Sequence, residues 1–167
     1  RYDDKGHWAA QGSPCLELVH NWLQQDFFQQ SPPKSTGREL FGEAYLKQTW
    51  EDANAYHLNE ADFLASLTEL TASAIAQDYQ QFLPTLPDAM LLCGGGSRNS
   101  YLRERLQAKL PQVTIQTTDE MGLNSDFKEA IAFAVLAYWR YQNQDAGNLP
   151  QVTGAKRPII LGELQIP

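Results

Sequence analysis

Residues Leu91-Leu92-Cys93-Gly94-Gly95-Gly96-Ser97-Arg98-Asn99 constrain this chain more than any other stretch. A short apolar run ends in three consecutive glycines and passes directly into a segment of helical character. Without Cβ atoms the glycines let the main chain approach a flat base, a ribose or a phosphate. The helix that follows offers unpaired N–H groups and a partial positive charge. A ligand would sit at the carboxyl end of the strand. The same residues also describe a plain strand-to-helix turn in which Ser97 or Asn99 caps the helix.

The flanking pattern extends the turn into a unit. Ala89 to Cys93 reads as a strand, Ser97 to Leu110 as a helix and Val113 to Thr117 as an alternating strand, so the order predicts β-α-β and an α/β fold. Upstream, Ser13-Pro14 reads as an N-cap with proline at the first helical position. Leu16, Val19, Leu23 and Phe27 then recur at helical spacing until Pro32-Pro33 stop the segment near Gln29-Gln30. Thr36 and Glu39 have capping-box spacing for a short helix toward Leu46. Asn59 opens a longer helix with a stripe of Leu64, Leu67, Leu70, Thr71, Ala74, Ile75 and Phe82, closed by Pro84 and Pro87. A last helix is expected from about Ser125 to Tyr141. It is apolar nearly all round from Ala130 to Trp139, which predicts burial against several neighbours. Beyond Asn143, Asn, Gly and Pro dominate, with Pro158 to Leu161 a candidate edge strand, and no repeat is visible.

Size and charge narrow the function. A chain of 167 residues holds one domain with a real core. A net charge of −7, with 13 scattered Lys and Arg, argues against nucleic acid, and no apolar stretch reaches the roughly 20 residues that span a bilayer. Cys15 and Cys93 lie far apart in a chain without a secretory signal, so the expectation is a reducing, cytoplasmic setting. Arg1 to Gly6 lacks an initiator methionine and reads as the middle of a polar turn. Part of a longer protein is expected, with a processed N-terminus the alternative.

Glu129 heads an apolar stripe with Ala132, Phe133 and Leu136. A buried carboxylate there needs first-turn amides, a cation or a ligand hydroxyl, although a first-turn acid also simply complements the helix dipole. Lys34-Ser35-Thr36-Gly37-Arg38 offers cations and hydroxyls that suit a phosphate or a sugar carboxylate, without the frame of a P-loop, and reads equally as a capped loop. Asp3, Asp4, Asp119 and Glu120 are turn acids, either solvated or in contact with a hydroxyl or a magnesium-bound nucleotide. His7, His20 and His57 have no zinc spacing, neither cysteine has a nearby histidine, and Ser97 is not in a nucleophile elbow, so no metal residue and no hydrolase triad are assigned.

Taken in order, five blocks are similar to the C-terminal part of 1,6-anhydro-N-acetylmuramic acid kinases. They are Pro33 to Glu39, Cys93 to Asn99, Thr118 to Gly122, Lys128 to Ala134 and Gly147 to Ala155. Asp3 to Gly6 adds a less distinctive acidic glycine turn. The resemblance implies the actin-like, hexokinase-like and Hsp70-like ATPase fold, in which two related α/β domains enclose ATP. Residues 1–167 would form the helix-rich C-terminal nucleotide- and sugar-binding domain, its first strands and the N-terminal domain absent. It implies ATP and Mg2+ as cofactors and anhydro-N-acetylmuramic acid as substrate. Water opens the 1,6-anhydro bond and O6 is phosphorylated, giving N-acetylmuramic acid 6-phosphate in cell-wall recycling. Gly94, Gly95, Gly96 and Asn99 would line the adenosine pocket, and Glu129 would lie on the substrate side. The catalytic base is expected upstream of Arg1, so this chain alone is expected to fold marginally and to be inactive, and a homodimer is implied for the whole protein. Two rivals stay open, another sugar kinase of the same superfamily and a non-catalytic nucleotide-binding switch module. A glycine-turn methyltransferase is set aside, because no acid sits in the strand before Gly94.

Overall fold

The computed structural model describes residues 2–143 and 147–165; Arg1, where the polar opening turn begins, lies outside the described residues. The helices are α1 (Leu16–Leu23), α2 (Asp26–Gln29), α3 (Glu43–Ala55), α4 (Glu60–Phe82), α5 (Ser100–Lys109), α6 (Lys128–Tyr141) and α7 (Pro150–Thr153). Two parallel strands, β1 (Ala89–Leu92) and β2 (Thr114–Thr117), pair with Ala89 opposite Thr114 and Leu92 opposite Thr117. The expected β-α-β unit is therefore present, with α5 as its crossover. Single 3₁₀ turns at Asp4–Gly6, Ala9–Gln11 and Gly95–Arg98 complete the regular structure.

Two cores flank α4. On one side Leu18, Val19, Trp22, Phe28 and Ala53 pack with Phe63 and Leu70. On the other Met90, Leu106, Leu110, Val113 and Ile115 pack with Ala72 and Ala76. Burial of a side chain such as Leu106 or Leu110 contributes about 1.5–3 kcal/mol. The expected start of α4 holds, since Asn59 Oδ1 accepts from Asp62 N–H at 2.9 Å. Its expected stripe shifts, because Leu64, Leu67, Ala74 and Ile75 are only half-buried and Thr71 is exposed. The fully enclosed positions include the small ones, Ala65, Ser66, Ala72 and Ala76, where short side chains let neighbouring helices close in.

Other expectations are corrected. The single first helix is two, because Gln25 turns extended (φ −65°, ψ 146°), which brings Phe27 and Phe28 onto Phe41 at ring separations of 5.3 and 5.6 Å. Cys15, not Ser13, is its N-cap; Ser13 N–H instead donates to Asp62 Oδ1 at 2.7 Å. The capping box of Thr36 and Glu39 does not form. Leu40 and Phe41 N–H close a turn on the Gly37 carbonyl, and the helix starts at Glu43 and runs well past Leu46. The helix after the glycines begins at Ser100, one 3₁₀ turn later than expected. The last helix begins at Lys128, since Ser125 and Asp126 are held in a turn. It is not buried: no residue of α6 is enclosed, and the tail at Leu161 to Leu164 leaves an open groove along Phe133, Leu136, Ala137 and Arg140. Pro158 to Leu161 forms no strand; Ile159 N–H donates to Asn148 Oδ1 at 2.8 Å instead. Among the described residues no helix is long and apolar enough to cross a membrane.

Candidate functional site

The carboxyl ends of β1 and β2 bring together three stretches that are separate in sequence: the glycine turn, the loop 118–127 and the start of α6. Thr118 N–H continues the ladder by donating to the Leu92 carbonyl at 2.9 Å. Directly after Leu92 the chain turns at Gly94, whose φ of 72° and ψ of −167° suit only a residue without Cβ. A Cβ built on Gly94 or Gly95 would meet nothing within 4 Å, and one on Gly96 would touch only Leu102 Cδ2 at 4.0 Å. The turn is therefore an open main-chain wall, and packing within this chain does not require its glycines beyond Gly94.

Its shape is held from beneath. Ser97 is buried and its Oγ donates to the Gly94 carbonyl at 2.7 Å. Asn99 is the N-cap of α5, with Oδ1 accepting from Leu102 N–H at 2.9 Å, so the capping role foreseen for it is real. Its carboxamide nitrogen makes no hydrogen bond among the described residues and stays available to a ligand. Asn99 also borders a groove of about 200 Å³ with Asp3, Thr68 and Thr71.

The loop that faces the turn is built from its own acids. Ser125 N–H donates to Asp119 Oδ1 at 3.1 Å, and hydrogen bonds from Ser125 hold that carboxyl below its ordinary range. Glu120 accepts from Thr117 N–H at 3.0 Å and pairs with Arg103 at 3.2 Å; the Thr117 amide is the main reason its pKa is lowered. Both acids thus shape the turn. Arg98 and Asp126 form an exposed ion pair that ties the glycine turn to the loop. Thr118 Oγ1 is buried at the end of β2 with no hydrogen-bond partner among the described residues, a cost normally relieved by a ligand, a water or further protein.

Glu129 stands at the first turn of α6, exposed rather than buried, paired with Lys128 at 3.0 Å. That pairing lowers the Glu129 pKa and raises that of Lys128, a rise to which the Cys93 thiol, in the residue before the glycines, adds. Through the Arg98–Asp126 pair, two residues before α6, the start of that helix lies at the same end of the sheet as the glycine turn. Lys34 is elsewhere and occupied: it pairs with Asp78 at 2.9 Å and lies over the rings of Phe27 and Phe82, with little exposure. It braces α2 against α4 and is not free to grip a phosphate.

One cluster escaped the sequence reading. Glu69 is 1% exposed on α4, accepts from Arg105 Nε at 2.6 Å and forms an ion pair with Lys109 at 2.7 Å, both on α5. Burial raises its pKa, but the contacts and charges of Arg105 and Lys109 outweigh that and hold it below the ordinary carboxylate range. The signal was an acid one residue before Leu70 in an apolar helix, with two cations four apart on α5. A larger apolar groove, about 460 Å³ between Trp8, Leu46, Trp50 and Phe63, contains none of the expected site residues. Among the described residues no three His, Cys, Asp or Glu side chains converge as a metal group.

Comparison with known proteins agrees with the order of the blocks. The sequence profile of the family described as anhydro-N-acetylmuramic acid kinase matches residues 1–166. Among curated relatives, a protein of Crocosphaera subtropica named anhydro-N-acetylmuramic acid kinase is 65% identical over 99% of this chain and 44% of its own length. Proteins with the same name from Microcystis aeruginosa and Synechocystis sp. are 66% and 61% identical, over 98% and 99% of this chain and 43% of their own lengths. The chain thus spans less than half the length of the curated relatives it matches.

Proposed function

The chain belongs to the anhydro-N-acetylmuramic acid kinase family, and from that premise we propose that residues 1–167 work as the C-terminal nucleotide- and sugar-binding part of an ATP-dependent sugar kinase with the actin-like two-domain fold. The whole protein opens the 1,6-anhydro bond of anhydro-N-acetylmuramic acid with water and phosphorylates O6, giving N-acetylmuramic acid 6-phosphate in cytoplasmic cell-wall recycling. The observation that carries this reading is the open glycine wall at the carboxyl end of two parallel strands, with Asn99 as the cap of the helix that follows it. A bound ATP would supply the phosphoryl group.

In this reading Gly94, Gly95 and Gly96 admit the adenosine at van der Waals distance and Asn99 offers its amide nitrogen. Glu129, solvent-facing on α6, accepts from a sugar hydroxyl. The residues at the turn suit a nucleoside, and among the described residues no three His, Cys, Asp or Glu side chains converge as a metal group. Magnesium ligands, phosphate-cradling loops and the base that activates water are assigned to segments outside this sequence, so this chain alone is inactive. Phosphoryl transfer needs reactants held in line on both sides, and this segment is one side. The same missing segments are proposed to cover α6 and to pair with the free sheet edge.

The test is ADP release by the family-length protein with and without anhydro-N-acetylmuramic acid, for the unmodified chain and for Gly95→Val and Glu129→Ala. Sugar-dependent turnover yielding a ring-opened 6-phosphate is expected. Gly95→Val should abolish nucleotide binding without unfolding, and Glu129→Ala should raise the sugar KM by about tenfold, the loss of one hydrogen bond to a charged group. Turnover indifferent to the anhydro sugar would assign another sugar kinase, and nucleotide binding without turnover a switch module.

A further inference from the structure

Gly6 touches the proposed nucleotide wall from the far end of the sequence. Its φ is 74°, and a Cβ built there would stand 2.1 Å from Asn99 Oδ1, 2.9 Å from Asn99 Cγ and 3.0 Å from Tyr101 Cβ. Asn99 Oδ1 is not a side-chain end that can simply swing aside, because it holds the first turn of α5 through Leu102 N–H. A second tie is adjacent: Ser100 Oγ donates to the Lys5 carbonyl at 3.0 Å. The segment carrying Gly6 is itself fixed, since the Asp3 carboxylate accepts from Trp8 N–H at 2.9 Å and Ala9 N–H at 3.0 Å.

We propose that Gly6 is a positioning residue for the nucleotide site, its missing side chain setting where the Asn99 carboxamide stands beside the glycine turn. The inference rests on the reading of that turn as the adenosine wall. Any side chain at position 6 pushes Asn99 Oδ1 off Leu102 N–H or moves the main chain of Asn99. Asn99 N–H donates to the Gly96 carbonyl at 3.1 Å, so a main-chain shift at Asn99 passes into the turn.

The experiment is a double-mutant cycle in the family-length protein: Gly6→Ala, Asn99→Gly and the two combined, with Gly95→Val as the reference for the turn. Affinity for a non-hydrolysable ATP analogue, the sugar KM and the melting temperature are measured for each. Gly6→Ala is expected to weaken nucleotide binding about tenfold while the sugar KM stays within about twofold, and to add less than about twofold in the Asn99→Gly background, where the colliding atom is gone. Strain from alanine at positive φ is present in both backgrounds, so it registers in melting and not in the coupling. Additive losses in the cycle overturn the proposal. So does unchanged nucleotide affinity in Gly6→Ala when Gly95→Val abolishes binding. Unchanged affinity in Gly95→Val removes the reading of the turn and this inference with it. Should Gly6→Ala alone fail to fold, a folded double variant with the affinity of Asn99→Gly supports the proposal, and a double variant that also fails to fold overturns it.

Discussion

α4 and α6 are both rich in alanine and large apolar side chains, and they meet opposite fates. α4 is enclosed on two faces, with Ala65 and Ala72 wholly buried, whereas Phe133 and Tyr138 on α6 are 70% and 59% exposed. Composition does not separate them, since Ala130 to Trp139 carries no charged residue and α4 carries several. Neighbours do. The small positions of α4 admit α1 and α5 closely, while a short tail lines a groove on α6 without enclosing any of its residues. Burial belongs to a pair of surfaces, and among the described residues nothing encloses α6.

The largest way to break the comparison is to attack the closed side where it is electrostatic. Arg105→Met with Lys109→Met leaves the Glu69 carboxylate buried without a partner, at an expected cost of about 3–5 kcal/mol in urea unfolding. The pH dependence should also reverse. In the unmodified chain the folded-state pKa of Glu69 is lowered, so its contribution is full above the unfolded value and is lost as pH falls through the folded one, below 4.5. In the double variant burial raises that pKa, and the contribution is lost as pH rises above the unfolded value. A variant with unchanged stability and unchanged acid limb would show that Glu69 does not hold α5 to α4.

The open side is tested by context. Phe133→Ser in the 167-residue chain should change stability by less than about 0.5 kcal/mol and reduce self-association. In the family-length protein the same change should cost about 3 kcal/mol, as for a large aromatic removed from a core. Equal, small effects in both would make α6 a true surface helix and dissolve the contrast with α4.

What could be read from the sequence follows the same division. The β-α-β unit, the Asn59 cap and the glycine turn were legible because each is fixed by local chemistry: alternation, a side-chain oxygen three residues from an amide, and absent Cβ atoms. The break after Leu23 was not, since it serves contacts of Phe27 and Phe28 with a ring at Phe41. Periodicity chose one stripe of α4, Leu64 to Phe82, while close packing also encloses Ala65, Ser66, Ala72 and Ala76 beside it. Whether Lys34 was a phosphate ligand or part of a capped loop stayed open because its partner, Asp78, is 44 residues away. Glu129 was legible as a polar residue heading α6 but not as an exposed one, because its surroundings depend on what covers that helix.

The smallest expected effect separates two ion pairs of like chemistry. Arg98 and Asp126 are 62% and 57% exposed, against 1% for Glu69. Water screens the exposed charges and holding both side chains costs entropy, so Arg98→Ala should lower stability by no more than about 0.5 kcal/mol. Raising salt to about 0.5 M should erase that difference while leaving most of the effect at Arg105 and Lys109, whose partner is out of reach of counterions. A loss above about 1 kcal/mol at Arg98, persisting in salt, would exceed what an exposed pair supplies. The tie between glycine turn and loop would then be part of a closed structure, and the boundary between the closed and open regions would move from the end of the sheet to the start of α6.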